Sequence, residues 1–220
     1  MTAHAFSFHG ATLHALGSGA LHWPDRALLV VSDLHLGKSE RVARRTGQQL
    51  PPYETRETLS RLEADIEATG ATSVLCLGDS FDDRAAALSL DEEELLWLTR
   101  LQAGRRWIWV EGNHDPGPLG LGGEHRAELA LAALTFRHIA QSGAVAEVSG
   151  HYHPKASLTA RGHSVTRPCF LLDADRLILP AYGAYTGGLR SRDPVLATLM
   201  RPGALAILTG KTPRPIPMPR

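Results

Sequence analysis

Three runs of apolar residues in the first half of the chain alternate with segments of helical periodicity. Residues 28–32, 74–77 and 107–110 are almost continuously apolar, which is typical of strands buried on both faces of a sheet. Between them, apolar residues recur at helical spacing over residues 55–68 and again over residues 90–101. This order of strands and helices predicts a parallel sheet with helices packed against it.

The second half of the chain differs, because short strand-like runs follow one another with turns between them. They cover residues 129–132, 134–138, 144–148, 156–159, 164–166, 170–172 and 177–179, and residues 195–199 and 204–208 predict a last hairpin. Residues 5–22 predict a meander at a sheet edge. We therefore expect an α/β fold of two packed mixed sheets with helices outside. Residues 1–212 would form a single domain, and the proline-rich tail 213–220 would be extended or disordered.

Composition narrows the class of protein. With 220 residues, 43% of them hydrophobic, the chain can bury the core of one large domain. Lysine plus arginine and aspartate plus glutamate both number 23, so binding to nucleic acid through overall charge is excluded and a local patch would be needed. Cys76 and Cys169 lie in apolar runs, which indicates buried reduced thiols. With neither a signal peptide nor a membrane-length apolar run in view, we expect a soluble cytoplasmic protein with no membrane partner.

The residues best suited to chemistry stand directly after the apolar runs. Ligands in open α/β sheets gather at the carboxyl ends of strands, so one shared site is the simplest interpretation. Carboxylate, imidazole and amide donors together suit a divalent ion such as manganese, iron or zinc, and the absence of cysteine argues against a structural zinc site. The candidate metal ligands are Asp33, His35, Asp79, Asn113, His138, His151 and His153.

Seven donors are too many for one tetrahedral centre but fit two metal ions if one carboxylate bridges them. The bridging group should come from a middle strand, which favours Asp79. Taken singly, each of these residues has an ordinary alternative as a turn residue, a cap or a solvated histidine. His138 is the weakest, because it could be a half-buried imidazole in a plain strand. Their recurrence at the ends of several strands favours the metal interpretation.

The ordered motifs resemble the signature of the calcineurin-like metallophosphoesterases. They are Asp33 with His35, Gly78-Asp79 with Asp82, Gly112-Asn113-His114-Asp115, His138, and Gly150-His151 with His153. The resemblance covers about residues 28–154 and implies a four-layer αββα sandwich. It also implies that Asp33, His35 and His153 hold one metal ion, that Asn113, His138 and His151 hold the other, and that Asp79 is shared.

A narrower resemblance extends over nearly the whole chain. Asp33 to Lys38, Gly150 to Pro154, Arg167 to Phe170 and Leu179 to Gly188 are similar to the PdeM branch, the ligase-associated DNA damage response endonucleases. This resemblance implies DNA as substrate and a repair ligase or helicase as partner. Among the metals that the ligand types suit, we expect two manganese ions, with zinc or iron as alternatives.

A catalytic role is expected for the residues around the metals. We expect a water or hydroxide held between two metal ions to attack phosphorus. Besides Asp79, the catalytic candidates are His114, as general acid or hydrogen-bond donor to the phosphate, and Asp115, which would orient His114 or equally well cap the turn. Asp82 would contact the ring nitrogen of a ligand histidine that does not bind the metal and so fix the orientation of that histidine.

Candidate substrate contacts are Lys38, Arg41, Arg44, Arg45, Arg84 and Tyr152. The first four could bind the phosphate backbone, or equally well form a solvated helix face. Tyr152 could stack on a base or pack beside the metals.

The leading hypothesis is therefore a two-metal phosphodiesterase that acts as a DNA-repair nuclease. A phosphodiesterase or phosphatase for nucleotides or other small phosphoesters is the alternative within enzymes, because the same ligand set serves both. A non-catalytic binding platform is the third hypothesis. It is disfavoured because the chain keeps the whole ligand set and His114.

Overall fold

The computed structural model describes residues 2–48, 51, 53–88, 90–117, 120–160 and 162–220, without the side chains of Arg84, Ala160 and His163. Within these residues, seven strands form the first sheet in sequence order. They are β1 (Ala3–Phe8), β2 (Ala11–Leu16), β3 (Leu21–Trp23), β4 (Leu28–Val31), β5 (Ser73–Leu77), β6 (Arg106–Val110) and β7 (Glu124–Arg126). β1 to β4 pair antiparallel and β4 to β7 parallel, which confirms both the edge meander and the parallel core.

Eight further strands of the described residues form the second sheet. They are β8 (Leu129–Leu131), β9 (Leu134–Phe136), β10 (Glu147–Ser149), β11 (Lys155–Ala160), β12 (His163–Leu172), β13 (Arg176–Ile178), β14 (Leu205–Leu208) and β15 (Arg214–Pro217). The order across the sheet is β15-β14-β12-β13-β10-β9-β8, and β11 pairs with β12 alone as a hairpin. β10 pairs parallel with β9 and β13, so this sheet is mixed.

Five α-helices of the described residues lie outside the two sheets. They are α1 (Lys38–Thr46), α2 (Glu54–Thr69), α3 (Arg84–Leu88), α4 (Glu92–Gln102) and α5 (Pro194–Leu199). α2 ends at the left-handed Gly70, and α4 begins at a capping box formed by Asp91 and Glu94. None of the helices among the described residues is long and apolar enough to cross a bilayer.

Three apolar clusters define four layers. The first lies between the two sheets, the second packs α2 and α4 on the first sheet through residues such as Leu62 and Leu98, and the third packs α5 on the second sheet through Leu196 and Met200. The predicted αββα sandwich of two mixed sheets flanked by helices is therefore confirmed. Both cysteines are buried and free, as predicted.

Two details of the second half differ from the sequence analysis. Residues 195–199 do not form a strand, because Pro194–Leu199 is a helix. Pro194 occupies its first turn, where a missing backbone N–H costs nothing, and the Asp193 side chain accepts the Val195 N–H as the cap. In the predicted tail, Arg214–Pro217 is extended and pairs with β14.

Candidate metal centre

The candidate ligands converge where the strands of both sheets end. Asp33, Asp79 and Asn113 follow β4, β5 and β6, while His138 follows β9 and His151 follows β10. Backbone hydrogen bonds join the neighbouring loops, since the Asp33 N–H donates to the Gly78 carbonyl at 3.2 Å and the His35 N–H to the Asp79 carbonyl at 2.9 Å. The parallel pairing of β4, β5 and β6 therefore brings side chains far apart in sequence to one edge.

The backbone of the candidate ligands is unusual. Among ten described non-glycine residues with positive φ, five are candidate ligands, namely Asp33, His35, Asp79, His151 and His153, with φ between 46° and 71°. Left-handed backbone at residues with a side chain costs about 1–3 kcal/mol each and is concentrated at functional sites. The folded chain therefore holds these five side chains in place at the expense of stability.

A glycine allows the two sheets to approach closely beside these ligands. A Cβ atom at Gly150 would lie 1.7 Å from Ser32 Oγ and 2.7 Å from Asp33 Oδ2. Because the glycine leaves this space free, the His151 N–H reaches Asp33 Oδ2 at 3.0 Å. Gly150 thus allows the backbone N–H of His151, from the second sheet, to donate a hydrogen bond to the side chain of Asp33, from the first sheet.

The donor atoms form two neighbouring groups. In the first group, His153 Nε2 lies 3.1 Å from Asp33 Oδ1 and 3.4 Å from His35 Nε2. In the second group, His138 Nε2 lies 3.3 Å from Asp79 Oδ2 and 3.2 Å from His151 Nδ1. Within each group, one donor atom per residue lies within 4.8 Å of the others, a spacing that can hold a metal ion.

The hydrogen bonding around His138 tests whether a cation fits. His138 Nδ1 lies 2.8 Å from the Leu77 carbonyl oxygen, to which it donates, so its Nε2 carries the lone pair of the neutral ring. That lone pair faces Asn113 Oδ1 at 3.0 Å, besides Asp79 Oδ2 and His151 Nδ1. Acceptor atoms facing one another at such distances repel unless a positive charge lies between them. A proton on His138 Nε2 supplies this charge when no metal ion is bound, because Asp79 and Asp33 raise the pKa of His138 against the effect of burial. A divalent cation can take the place of that proton.

The electrostatics of the site also favour positive charge. Burial acts to raise the pKa of Asp79, but the hydrogen bond and charge of His138 and the backbone N–H of His114 lower this pKa to about 2. Burial opposes the same change at Asp33, yet the hydrogen bond and charge of His153 hold its pKa below the ordinary value. Both carboxylates are therefore ionised at neutral pH and available as ligands.

The buried carboxylate of Asp82 contacts the Nδ1 atom of His35. Asp82 Oδ1 lies 2.8 Å from His35 Nδ1, which turns His35 Nε2 towards His153, and this agrees with the predicted holding role of Asp82. Burial raises the pKa of Asp82, but His35, Arg41 and Lys38 together hold it well below its ordinary range. His35, Asp82 and His114 also form a third group with metal-like spacing, and we interpret it as this hydrogen-bonded support.

His114 is oriented by backbone. Its Nδ1 lies 2.7 Å from the Asp82 carbonyl oxygen, to which it donates, and its Nε2 lies 4.0 Å from Asp79 Oδ2. The side chain is 27% exposed, so Nε2 faces both the donor groups and solvent. This position suits contact with a phosphoester bound at the site.

Asp115 does not orient His114. Its Oδ2 accepts the N–H groups of Ser80 at 2.8 Å and Phe81 at 3.2 Å, so it caps the turn after β5, which was the alternative role. Burial and the charge of Asp79 raise the pKa of Asp115 to about 6, although both backbone hydrogen bonds oppose this change. Its contribution is to fix the loop that carries Asp79.

Comparison with known proteins identifies the family. A sequence profile of the calcineurin-like phosphoesterases matches residues 27–194. The chain belongs to the calcineurin-like phosphoesterase family. Among solved structures, the crystal structure of nuclease MPE from Pseudomonas putida is similar to this phosphoesterase with a TM-score of 0.78 and 26% sequence identity, over 98% of this chain and 100% of that one. No curated protein sequence matches the chain.

Membership confirms the predicted family and the predicted class of enzyme. The protein is a metal-dependent phosphoesterase, because the family uses divalent metals and the structure groups aspartate and histidine donors that could hold them. The αββα sandwich described above is the fold expected for this family.

The predicted substrate cations of α1 are all engaged by carboxylates. Arg41 Nη1 lies 2.7 Å from Asp82 Oδ2, and Lys38 Nζ lies 3.9 Å from Asp82 Oδ1. Arg44 contacts Glu40 and Asp83, both at 2.7 Å, and Arg45 lies 3.9 Å from Asp83. The helix therefore lies beside the site, but its charge is largely compensated within the phosphoesterase.

The two remaining substrate candidates give less information. Arg84 begins α3, and its side chain lies outside the described part of the structure. Tyr152 meets the ring of His151 edge-on with centroids 5.0 Å apart and packs against the third apolar cluster. Packing beside the donor groups is therefore the observed role of Tyr152, while stacking on a base stays a prediction.

The loop Leu179 to Gly188, which entered the predictions only as part of the narrower resemblance, supports Asp33. The Tyr182 N–H donates to the Ser32 carbonyl at 2.8 Å, and the Gly183 N–H donates to the Asp33 carbonyl at 3.0 Å. The Tyr182 side chain is fully buried, and its hydroxyl donates to Asp65 Oδ2 at 2.9 Å. These contacts join residues more than a hundred positions apart, so no local pattern in the sequence indicates them.

Proposed function

We propose that this phosphoesterase is a two-metal phosphodiesterase that cleaves DNA in repair. The observation that carries the proposal is the pair of adjacent donor groups at the seam of the two sheets, each with metal-like spacing. Two cations held a few ångströms apart are the usual arrangement for displacement at phosphorus.

The assignment of ligands follows the two groups. Asp33, His35 and His153 would hold one cation, and Asn113, His138 and His151 the other, with Asp79 shared between them. Aspartate, histidine and an amide oxygen suit manganese, with zinc or iron as alternatives. The ionised state of Asp33 and Asp79 supports this assignment.

The catalytic roles would be divided between the bound cations and His114. Bound cations would supply an activated water as nucleophile and would stabilise charge on the phosphoryl oxygens. His114 Nε2 would donate a proton to the leaving oxygen as its bond to phosphorus breaks. Because His114 Nδ1 already donates to the Asp82 carbonyl, this step requires the imidazolium form with a second proton on Nε2.

DNA is the proposed substrate because of two resemblances. The solved Pseudomonas putida structure is described as a nuclease, and the narrower sequence motifs are similar to the ligase-associated endonuclease branch. A cytoplasmic setting and a repair ligase or helicase as partner belong to the same proposal. The competing candidate is a phosphodiesterase or phosphatase for nucleotides or other small phosphoesters, and the paired cations of α1 favour it.

A panel of substrates separates these functions. Hydrolysis in manganese is measured on bis-p-nitrophenyl phosphate, p-nitrophenyl phosphate, a cyclic nucleotide, and single- and double-stranded DNA, with Asp79→Asn as the blank. Cleavage of DNA above this blank, weakening as salt rises, is the expected result. Turnover of the small esters with DNA intact would leave the enzyme class standing and would overturn the nuclease function.

The role of His114 is tested on the same diester substrate. His114→Ala should lower kcat by about 100- to 10,000-fold, the usual contribution of a positioned acid or base, while the metal content stays that of the wild type. Unchanged turnover with metals bound would show that the proton reaches the leaving oxygen by another route.

A further inference from the structure

The neutral total charge of the chain hides a strong asymmetry. Residues 1–150 contain thirteen lysines and arginines and twenty acidic residues, whereas residues 151–220 contain ten lysines and arginines and three acidic residues. The last third of the chain therefore carries a net charge of +7 and the rest a net charge of −7. A protein with no net charge can thus present a local basic surface to a polyanion.

Many of these C-terminal cations have no acidic partner. Besides Arg220, whose guanidinium donates to the carbonyls of Ala197 and Met200, six of them have no carboxylate within ion-pair distance in the described residues, and five of these six are exposed and one half-buried. Lys155, the half-buried one, donates to the Thr186 carbonyl at 3.1 Å. We call this set the C-terminal basic surface: Lys155, Arg167, Arg190, Arg192, Lys211 and Arg214.

Strand pairing places the first members of this surface beside the donor groups. Lys155 begins β11 two residues after His153, and Ala156, the next residue, pairs with Arg167, so Arg167 projects from the face of the hairpin opposite to Lys155. Lys155 also pairs with Arg190 through an isolated bridge. The loop before Arg190 presses on the same ligand, because a Cβ atom at Gly188 would lie 2.0 Å from the His153 carbonyl oxygen.

The other members continue away from the donor groups. Arg192 lies two residues beyond Arg190, and Arg167 Nη1 would lie 4.0 Å from a Cβ atom at Gly210, directly before Lys211. Arg214 begins β15, where it pairs with Leu208 next to the edge of the sheet. The cations therefore lie on both faces of the β11–β12 hairpin, from the ligand His153 to the last strand, so a polyanion that contacts all of them has to pass around the hairpin.

We propose that the phosphate backbone of DNA crosses the C-terminal basic surface and reaches the donor groups from the side of His153. This inference rests on the proposed nuclease function and says where on the protein surface the DNA substrate would lie. Ions released from DNA phosphates drive such binding, and each cation contributes only if it is free to pair with a phosphate. The cations of α1 already pair with Asp82, Asp83 and Glu40, so they are poor candidates for this contact.

Binding measured without catalysis tests the surface directly. Anisotropy of a labelled single-stranded DNA is recorded against salt with EDTA present, for the wild type and for Arg167→Gln/Arg190→Gln/Lys211→Gln. Removing three phosphate contacts should weaken binding and lower the slope of log affinity against log salt by about 2 to 3. The unfolding midpoint of this variant should stay that of the wild type, because its three side chains are exposed.

A matched control removes the same charge from the paired side of the molecule. Arg44→Gln/Arg45→Gln/Arg56→Gln takes three arginines that contact acidic residues, and its DNA affinity and salt slope should stay close to wild type. Equal losses in both variants would mean that net charge alone matters, and a loss confined to the control would place DNA on α1. Either result overturns the proposal, as does tighter binding of an RNA of the same sequence.

The same variants separate this inference from the nuclease function. If the wild type cleaves DNA while the surface variant binds DNA normally, the nuclease function stands and the surface is wrong. If the surface variant loses DNA binding while the wild type hydrolyses only small diesters, the surface stands and the nuclease function fails.

Discussion

The two sheets bring different chemistry to one site. The first sheet supplies the carboxylates Asp33 and Asp79, the amide of Asn113 and one imidazole, whereas the second supplies imidazoles alone. Each donor group draws members from both sheets, so neither sheet alone supplies a complete group. Binding of metal is therefore coupled to the packing of one sheet on the other.

The cations of α1 and those of the last third of the chain also differ, in whether acidic residues pair with them. Cations that are adjacent in sequence, on α1, meet carboxylates brought to them by the fold. Cations that are scattered through the last third of the chain gather without such partners. The fold thus largely neutralises the basic run of α1, whereas the C-terminal basic surface keeps its cations free of carboxylates in the described residues.

Removing a carboxylate of the first sheet should break the site most severely. Asp79→Asn should lower manganese-dependent hydrolysis of bis-p-nitrophenyl phosphate by more than about 100-fold, beyond the usual effect of a supporting residue, and abolish binding of both metals. Metal content is measured by mass spectrometry, with His151→Ala of the second sheet expected to lose one metal. Loss of only one metal from Asp79→Asn would contradict the shared ligand.

A smaller effect should follow from the carboxylate behind His35. Asp82→Ala leaves His35 Nδ1 without its acceptor, so manganese affinity should fall by about 10- to 100-fold. Asp83→Ala is the matched control, because Asp83 contacts arginines of α1 and no ligand histidine is among its ion-pair partners in the described residues. Similar losses in both variants would show that the docking of α1, and not the support of His35, sets the affinity.

The loop that joins the second sheet to Asp33 offers a test by stability. A Cβ atom at Gly183 would lie 2.0 Å from the Leu34 carbonyl oxygen, whereas one at Gly187 would meet nothing within 4 Å. Gly183→Ala should therefore lower the free energy of unfolding by about 1–3 kcal/mol, as overpacking usually does. Gly187→Ala should change it little in urea unfolding, and equal effects would mean that the contact is not tight.

The smallest effect concerns Asp65, which accepts the Tyr182 hydroxyl. Burial raises the pKa of Asp65 above 3.8, although hydrogen bonds from Ser18 and Tyr182 act against this change. The folded protein thus binds this proton more tightly, so the stability it contributes is present below pH 3.8 and is lost as pH rises through the raised pKa. Asp65→Asn cannot ionise, and its stability relative to wild type should increase over this pH range. A constant difference would show that Asp65 titrates normally.

The sequence predicts that the candidate ligands lie together, because several of them directly follow apolar runs that can be recognised locally. Asp33, Asp79 and Asn113 follow runs buried on both faces, and the structure places all of them at one edge. Helix α5 could also have been predicted, since Asp193 and Pro194 form a cap and first turn that the apolar pattern of residues 195–199 obscured.

Other features could not be predicted from local patterns. Arg41 and Asp82 are 41 residues apart, so the compensation of charge on α1 appears only in the folded chain. The support of Asp33 by Gly183 and the capping of the β5 loop by Asp115 likewise depend on tertiary contacts. Motifs thus identify the atoms that can react, while packing decides which neighbouring charges remain free.

The spread of the ligands along the chain has a consequence for how the protein is made. His35 and His153, which meet in the first donor group, are separated by 118 residues. At the usual speed of synthesis, the ribosome needs roughly 6–24 s to add that length. The first donor group is therefore incomplete while the first sheet emerges. A metal ion that needs His153 as a ligand would therefore bind only after the chain has been synthesised past His153 and its two sheets have packed together.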